Sequence, residues 1–253
     1  MASGHIKANA VRGISIIALF LLSGSGCGNH EETTSMSKAA QAEELYRKGT
    51  QLLETDPQGA VAYLTESLEL APEHAPARYN RAATYGRLGQ YDQAIVDVEY
   101  LESHHPDVGQ QLRRQFMMAA LAMADMAMDD FLAKNFTASL KKCDDALLLD
   151  VNCSEAWALK GRVLVELGKQ EEGLSCLDEA VRQHPDCFFS WVTRGKVFAK
   201  LQQYQEALEA YNKALELRPG DALAYEERSQ VNSALGKTDE AEQDKRQAQS
   251  LRE

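Results

Sequence analysis

The chain has 253 residues, of which 44% are hydrophobic, and it contains only six prolines and sixteen glycines. A chain of this length can bury a substantial core in one or two domains, and the scarcity of helix-breaking residues favours helix. The formal charge of −11 would repel phosphate backbones, so the composition argues against nucleic acid as a partner.

The first 26 residues differ from the rest of the chain and are predicted to be a signal peptide. Their charged side chains are Lys7 and Arg12, whereas residues 27–253 carry 25 basic and 38 acidic side chains, a balance of −13. An apolar stretch covers residues 14–22. Nine helical residues span about 14 Å, against a hydrocarbon core of roughly 30 Å, so this stretch is too short to cross a bilayer.

Small residues lead from this stretch into Cys27, and residues 23–27 read Ser-Gly-Ser-Gly-Cys. This ending resembles the bacterial lipoprotein signal, in which a small residue precedes a cysteine that is lipidated and becomes the new N-terminus; Gly24 stands where leucine is usual. The resemblance implies lipidation at Cys27, a flexible tether over residues 27–40, and a periplasm-facing envelope protein held by its lipid, preferentially at the outer membrane. Ordinary signal cleavage near Cys27 and an uncleaved anchor are the alternatives.

The rest of the chain repeats itself with a period of 34 residues. Alanine occupies one place of the repeat four times in succession, as Ala146, Ala180, Ala214 and Ala248. Other places recur in pairs, namely Trp157 and Trp191, Gly161 and Gly195, and Pro185 and Pro219. Self-similarity at a fixed period of this length is typical of stacked structural repeats, in which each unit buries its apolar face against its neighbours.

These columns resemble the tetratricopeptide repeat pattern, with aromatic or large apolar residues near places 4, 11 and 24, small residues at 8, 20 and 27, and proline at 32. The resemblance implies an all-α fold, a right-handed superhelical solenoid of antiparallel helix pairs. About six repeats are predicted within residues 41–252: 42–74, 75–108, 120–153, 154–187, 188–221 and 222–252. The last helix is polar nearly all round, which is typical of a terminal capping helix.

One interval departs from the period. Pro106 and Val151 are 45 residues apart, eleven more than one repeat, and eleven residues complete three helical turns almost in phase. Residues 109–119 are therefore interpreted as a helical insertion. Since no proline or glycine occurs from Gln110 to Ala133, a single helix of about 24 residues is predicted there.

In proteins of the resembled family, ligands lie along the concave face formed by the first helix of each repeat. Carrying those places over gives the predicted peptide-binding residues Tyr79, Asn80, Arg87, Met128, Phe131, Arg162, Phe189, Lys196 and Lys200. The cations among them favour a partner segment that carries carboxylates beside an apolar anchor. The alternative is that they are ordinary solvated helix charges.

Two further patterns are interpreted as structural. Cations recur at place 7, namely Lys48, Arg81, Lys160, Arg194 and Arg228; they could form a ladder for an acidic ligand, but we expect them to reach acids of a neighbouring helix, such as Asp97, Asp144 or Asp178. Methionines crowd the long helix at positions 117, 118, 123, 126 and 128. They could bind copper, but we expect them to supply its apolar face.

The remaining chemistry is sparse. Cys143, Cys153, Cys176 and Cys187 are predicted to be reduced or buried, and neither a phosphate-binding glycine loop nor a nucleophile motif is found. We therefore expect no enzyme activity, cofactor, metal or small-molecule substrate. The predicted function is a scaffold that binds segments of other proteins in its groove. The alternative is a structural subunit of a stable envelope complex that uses its convex or long-helix surfaces.

Overall fold

The computed structural model describes residues 36–252, and all regular secondary structure in that range is α-helical. The twelve helices of this range are α1 (Lys38–Leu52), α2 (Pro57–Leu70), α3 (Ala75–Arg87), α4 (Tyr91–His104), α5 (Pro106–Leu132), α6 (Phe136–Leu149), α7 (Ser154–Glu166), α8 (Gln170–Gln183), α9 (Phe188–Lys200), α10 (Tyr204–Leu217), α11 (Ala222–Ala234) and α12 (Thr238–Ser250). The all-α prediction is confirmed. The predicted signal peptide and Cys27 lie outside the described residues.

The chain divides into two compact units, with the boundary inside α5 between Ala119 and Ala120. In the first unit, α1 packs on α2, α2 on α3, and α3 on α4. In the second unit, α7 packs on α8, α9 on α10 and α11 on α12. Helix α9 also contacts α7 and α11. The first helices of three successive repeats therefore lie side by side.

The helices begin and end where nearby residues stabilise their termini and turns. The side chain of Ser37 accepts a hydrogen bond from the Ala40 N–H, so α1 begins at Lys38, ahead of the predicted first repeat. The turn inside five of the repeats contains a residue in the left-handed region, at Gly89, Lys134, Gly168, Gln202 and Gly236. Glycine adopts this conformation without steric cost, which explains why three of these five turn residues are glycine.

Aromatic and small residues at the repeat places pack the helices together. The indole nitrogen of Trp157 donates to the carbonyl oxygen of Val151, and that of Trp191 to Pro185, each over 2.8 Å. Leu177 and Tyr211 are fully buried in the second unit. In the first unit, Leu64 lies in a core cluster that reaches from α2 to α3.

The long helix is present but its bounds differ from the prediction. It has 27 residues and starts at Pro106, not Gln110. Proline is tolerated in the first turn of a helix because that N–H has no intrahelical partner. Gly109 lies inside the helix, where a Cβ would lie 2.4 Å from the backbone nitrogen of Glu102. The glycine thus allows close approach to α4 and does not end the helix.

Only some of the methionines of α5 lie on its buried apolar face. Met123 is buried, and Met126 and Met128 are half-buried. Met117 and Met118 are exposed, so the prediction is wrong for them; the buried face passes through Phe116, Ala119 and Ala120 instead. Within residues 36–252, no helix is both long and apolar enough to cross a membrane.

Four of the five place-7 cations pair with acids sixteen residues away, which confirms the structural interpretation for these four. Arg81 binds Asp97, Lys160 binds Asp144, Arg194 binds Asp178 and Arg228 binds Asp244, whereas Lys48 pairs with Glu44 on its own helix. Arg81 and Arg228 each also bind a residue sixteen positions earlier in the chain, Thr65 and Asn212. These two side chains therefore tie the second helices of consecutive repeats together.

Candidate functional site

A cavity in the second unit brings together three of the predicted groove cations. It has a volume of about 270 Å³ and is lined by Arg162, Val165, Glu166, Lys196, Val197, Lys200 and Glu227. These residues come from α7, α9 and α11, the first helices of three successive repeats. We call this cavity the groove pocket.

Two cross-repeat ion pairs line the groove pocket. The ammonium group of Lys196 lies 3.4 Å from the carboxylate of Glu227, and that of Lys200 lies 2.5 Å from Glu166. The hydroxyl of Tyr211 also donates to Glu227 over 3.5 Å. Burial raises the pKa of Tyr211, and the nearby charge of Glu227 acts in the same direction. Tyr211 therefore stays protonated and remains a hydrogen-bond donor.

Arg162 is arranged differently from the two lysines. Its guanidinium carbon lies 4.2 Å from the centre of the Phe131 ring, a cation–π contact. Among the residues that the structure describes, none forms an ion pair or hydrogen bond with its side chain. Burial lowers the pKa of Arg162, while Glu166 and Glu227 oppose that shift. Arginine nevertheless remains charged in proteins, so Arg162 contributes a positive charge to the groove pocket.

The other predicted residues of the second unit lie apart from the groove pocket. Phe131 is buried and Met128 is half-buried, and both belong to the core cluster around Leu159. Phe189 is half-buried and lines a separate cavity of about 340 Å³ beside Cys187. These three side chains therefore contribute mainly to packing, with Phe131 also supporting Arg162.

The predicted residues of the first unit form their own hydrogen-bonded groups. Tyr79 is buried, and its hydroxyl accepts a hydrogen bond from Gln115 over 3.1 Å. Asn80 is buried beside Tyr46, to which its amide nitrogen donates over 3.4 Å, while its amide oxygen is without a partner in the described part of the chain. Arg87 binds both carboxylate oxygens of Glu54, at 3.2 Å each.

Sequence reasoning found the groove cations but did not predict that acids of the same groove pair with them. Glu54 and Arg87 both occupy place 13 of successive repeats, as do Glu166 and Lys200. These pairs could have been predicted from the sequence, because residues at the same place in adjacent repeats lie close together when the repeats stack. Arg87, Lys196 and Lys200 are consequently paired directly with carboxylates, whereas Glu166 and Glu227 act on Arg162 only through their nearby charges.

The four described cysteines are free, and Cys143, Cys153 and Cys176 are buried, as predicted. Burial raises the pKa of Cys143 and that of Cys153 to about 12 each. Thiols with such pKa values are almost fully protonated at neutral pH and react slowly. Over residues 36–252, no group of three histidine, cysteine or acidic side chains is arranged to hold a metal ion.

The helix pairs, the columns of small and aromatic residues and the side-by-side first helices define an all-α repeat protein. Two models described as tetratricopeptide repeat match the sequence, one over residues 158–222 and 192–250 and the other over 63–96. The chain belongs to the tetratricopeptide repeat family, whose members are typically non-catalytic interaction modules. No curated protein matches the sequence.

Solved structures of repeat proteins also match the chain. MamA (residues 41 to the end) from Desulfovibrio magneticus RS-1 shares 16% identity over 84% of this chain and 95% of its own, with a TM-score of 0.41. TTC0263, a thermophilic repeat protein of Thermus thermophilus, shares 21% over 77% and 98%, with a TM-score of 0.37. The first repeat domain of Spaghetti (RPAP3), bound to the HSP90 peptide SRMEEVD, shares 20% over 46% and 93%, with a TM-score of 0.41.

Proposed function

We propose that this protein is a non-catalytic scaffold that holds extended segments of partner proteins against the first helices of its second unit. The observation that carries the proposal is the convergence of Arg162, Lys196 and Lys200 on one open pocket formed by three repeats. Tetratricopeptide repeat proteins typically act as interaction modules, and the sequence holds no nucleophile motif or phosphate-binding glycine loop that would favour catalysis.

Extended peptides suit such a surface for a physical reason. A groove assembled from successive repeats offers one set of side chains every 34 residues, so a ligand gains contacts by running across several helices. The groove pocket presents mainly charged side chains, since its two apolar residues, Val165 and Val197, are buried. The proposed ligand therefore carries polar or acidic side chains that face these charges.

Reversing two groove charges, Arg162→Glu with Lys196→Glu, is expected to reduce capture of partner proteins by tenfold or more. The change places negative charge where the proposed ligand carries it, and like charges at an interface cost several kcal/mol. The measurement is quantitative capture of envelope proteins on the purified protein, followed by affinity measurement with each captured partner. The matched control is Arg182→Glu with Lys213→Glu, which makes the same charge change at exposed sites on α8 and α10.

The second candidate function is a structural subunit of a stable envelope complex. It is favoured by the exposed apolar residues Met117 and Met118 on α5, of which Met118 is 73% exposed. Large apolar side chains grouped on a surface commonly mark protein contacts. If the groove reversals leave every captured partner bound while Met118→Glu releases them, the groove proposal is wrong and the structural role replaces it.

We also propose that the protein is a lipoprotein of the bacterial envelope, faces the periplasm and is anchored through Cys27, preferentially at the outer membrane. The support is the sequence alone: a basic start, a short apolar stretch and small residues before the cysteine. Several acyl chains together give a stable anchor, since each buried methylene contributes about 0.8 kcal/mol.

Cys27→Ser is expected to move the protein from the detergent-rich to the aqueous phase in a detergent phase-separation assay. Without the thiol no acyl chain can be attached, and the apolar anchor is lost. Cys187→Ser removes a thiol from the second unit and should leave the protein in the detergent-rich phase. An unmodified intact mass for the wild-type protein recovered from membranes would contradict the anchor.

A further inference from the structure

The turn between α6 and α7 contains a sequence pattern that groove binding does not use. Residues 150–154 read Asp-Val-Asn-Cys-Ser. An asparagine followed two positions later by serine or threonine, with any residue except proline between them, is the acceptor pattern for N-linked glycans in exported proteins. The chain has seven asparagines, and the pattern occurs at Asn135 and at Asn152.

The two asparagines differ at the position two residues before them. Asp150 stands there for Asn152, whereas Ala133 stands there for Asn135. Oligosaccharyltransferases that act in the bacterial periplasm typically select an acid at this position, in addition to the serine or threonine. Asn152 therefore meets both requirements, and Asn135 provides a comparison within the same chain.

Asn152 is exposed in the folded protein and has room to carry a bulky group. Its backbone N–H donates to Asp150 Oδ1 over 3.0 Å, but among residues 36–252 nothing forms a hydrogen bond with its side-chain amide. The residues at the same place of the next two repeats, Asp186 and Gly220, are exposed as well. A glycan on the amide nitrogen would therefore extend into solvent and displace no packed side chain.

The serine of the pattern, by contrast, is inaccessible once the second unit has folded. Ser154 is 2% exposed and is the first residue of α7, and its carbonyl oxygen accepts a hydrogen bond from the Ser190 hydroxyl over 3.3 Å. Cys153, which lies between the two residues of the pattern, is also buried. An enzyme that must contact both Asn152 and Ser154 reaches them only in the unfolded chain, so glycan transfer has to precede folding of this unit.

We propose that Asn152 is an N-glycosylation site that is modified after export and before the second unit folds. The donor is an oligosaccharide linked through pyrophosphate to a lipid, and the catalyst is a periplasmic oligosaccharyltransferase. A bond forms between the amide nitrogen of Asn152 and C1 of the first sugar, while the bond from C1 to the phosphate oxygen breaks. The lipid pyrophosphate leaves with that electron pair, and the amide nitrogen releases one proton. The inference rests on the proposed envelope location, because this donor and this enzyme act outside the cytoplasm.

The test is export of the full chain in a bacterial host with and without an oligosaccharyltransferase and its lipid-linked donor. We expect the enzyme to add the mass of one glycan to the protein recovered from the envelope. Because trypsin cleaves after Lys142 and Lys160, the added mass should appear in the peptide of residues 143–160.

Asn152→Gln and Ser154→Ala should each abolish the modification, and Asp150→Asn should lower the modified fraction. Asn135→Gln is the matched control, since it changes the other asparagine of the same pattern, and it should be modified like the wild type. The purified, folded wild-type protein should gain no glycan when it is incubated with the enzyme and donor. A synthetic peptide of residues 147–157 should be modified under the same conditions.

The outcomes separate this inference from the envelope proposal on which it rests. An exported chain without a glycan, in cells where a reference acceptor protein is modified, would overturn the site and leave the envelope proposal standing. A glycan that persists on Asn152→Gln would also overturn the site. A chain retained in the cytoplasm would overturn both proposals. Equal modification of the folded protein and the peptide would overturn the order in which transfer precedes folding.

Discussion

Asp97→Asn is expected to lower the free energy of unfolding of the first unit by about 3 kcal/mol. Asp97 is 1% exposed and accepts hydrogen bonds from Arg78 and, through both oxygens, from Arg81. Asparagine keeps the shape of the side chain but removes the charge, which leaves two largely buried guanidinium groups without a counter-ion. Both arginines retain some solvent access, so the expected loss lies at the lower end for a broken buried pair.

The structure supplies a matched control for that substitution. Arg194 also pairs with an acid sixteen residues away, but this acid, Asp178, lies earlier in the chain and is 66% exposed. Asp178→Asn should change stability by about 0.5 kcal/mol or less, since solvent screens exposed pairs. Urea unfolding followed by circular dichroism measures the helices of both units. Trp157 and Trp191 are the chain's two tryptophans, so their fluorescence reports the second unit. Equal losses for the two substitutions would show that burial does not set the strength of these pairs.

The repeat architecture was predictable because the same physical requirement recurs every 34 residues. Two helices approach closely only where small residues such as Gly161 and Ala180 stand, and the columns made those places visible. The start of α5 was not predictable from local rules. Gly109 normally weakens a helix, and its role there depends on the nearby backbone of Glu102, a tertiary contact that periodicity does not encode.

The candidate site was predictable only in part. The repeat places indicated which side chains line the groove, and Arg162, Lys196 and Lys200 do converge there. Their charge balance depends on which acids lie within reach, and Glu227 reaches Lys196 from the next repeat. A cation in a sequence pattern therefore identifies a position, whereas its freedom to bind a ligand depends on the partners that the fold brings to it.

Gly161→Ala is expected to destabilise the second unit by about 2 kcal/mol. A Cβ at this position would lie 2.6 Å from the carbonyl oxygen of Gly173 and 2.8 Å from Cγ of Leu177. The carbonyl belongs to the backbone of α8, so relief requires α7 and α8 to move apart. Such overpacking costs about 3 kcal/mol at the upper end of its typical range, while alanine in a helix gains about 1 kcal/mol over glycine. The steric cost of the added methyl group therefore exceeds the gain in helix propensity, so the net effect is destabilising.

Gly220→Ala isolates the effect of the methyl group itself. Nothing lies within 4 Å of a Cβ at Gly220, and its backbone is outside the left-handed region, so this change should be neutral or slightly stabilising. In urea unfolding monitored by tryptophan fluorescence, Gly161→Ala should shift the transition to lower urea and Gly220→Ala should not. A more stable Gly161→Ala protein would mean that the helices separate at little cost. In that case, close contact between the backbones of α7 and α8 would not be the reason that glycine occupies this place of the repeat.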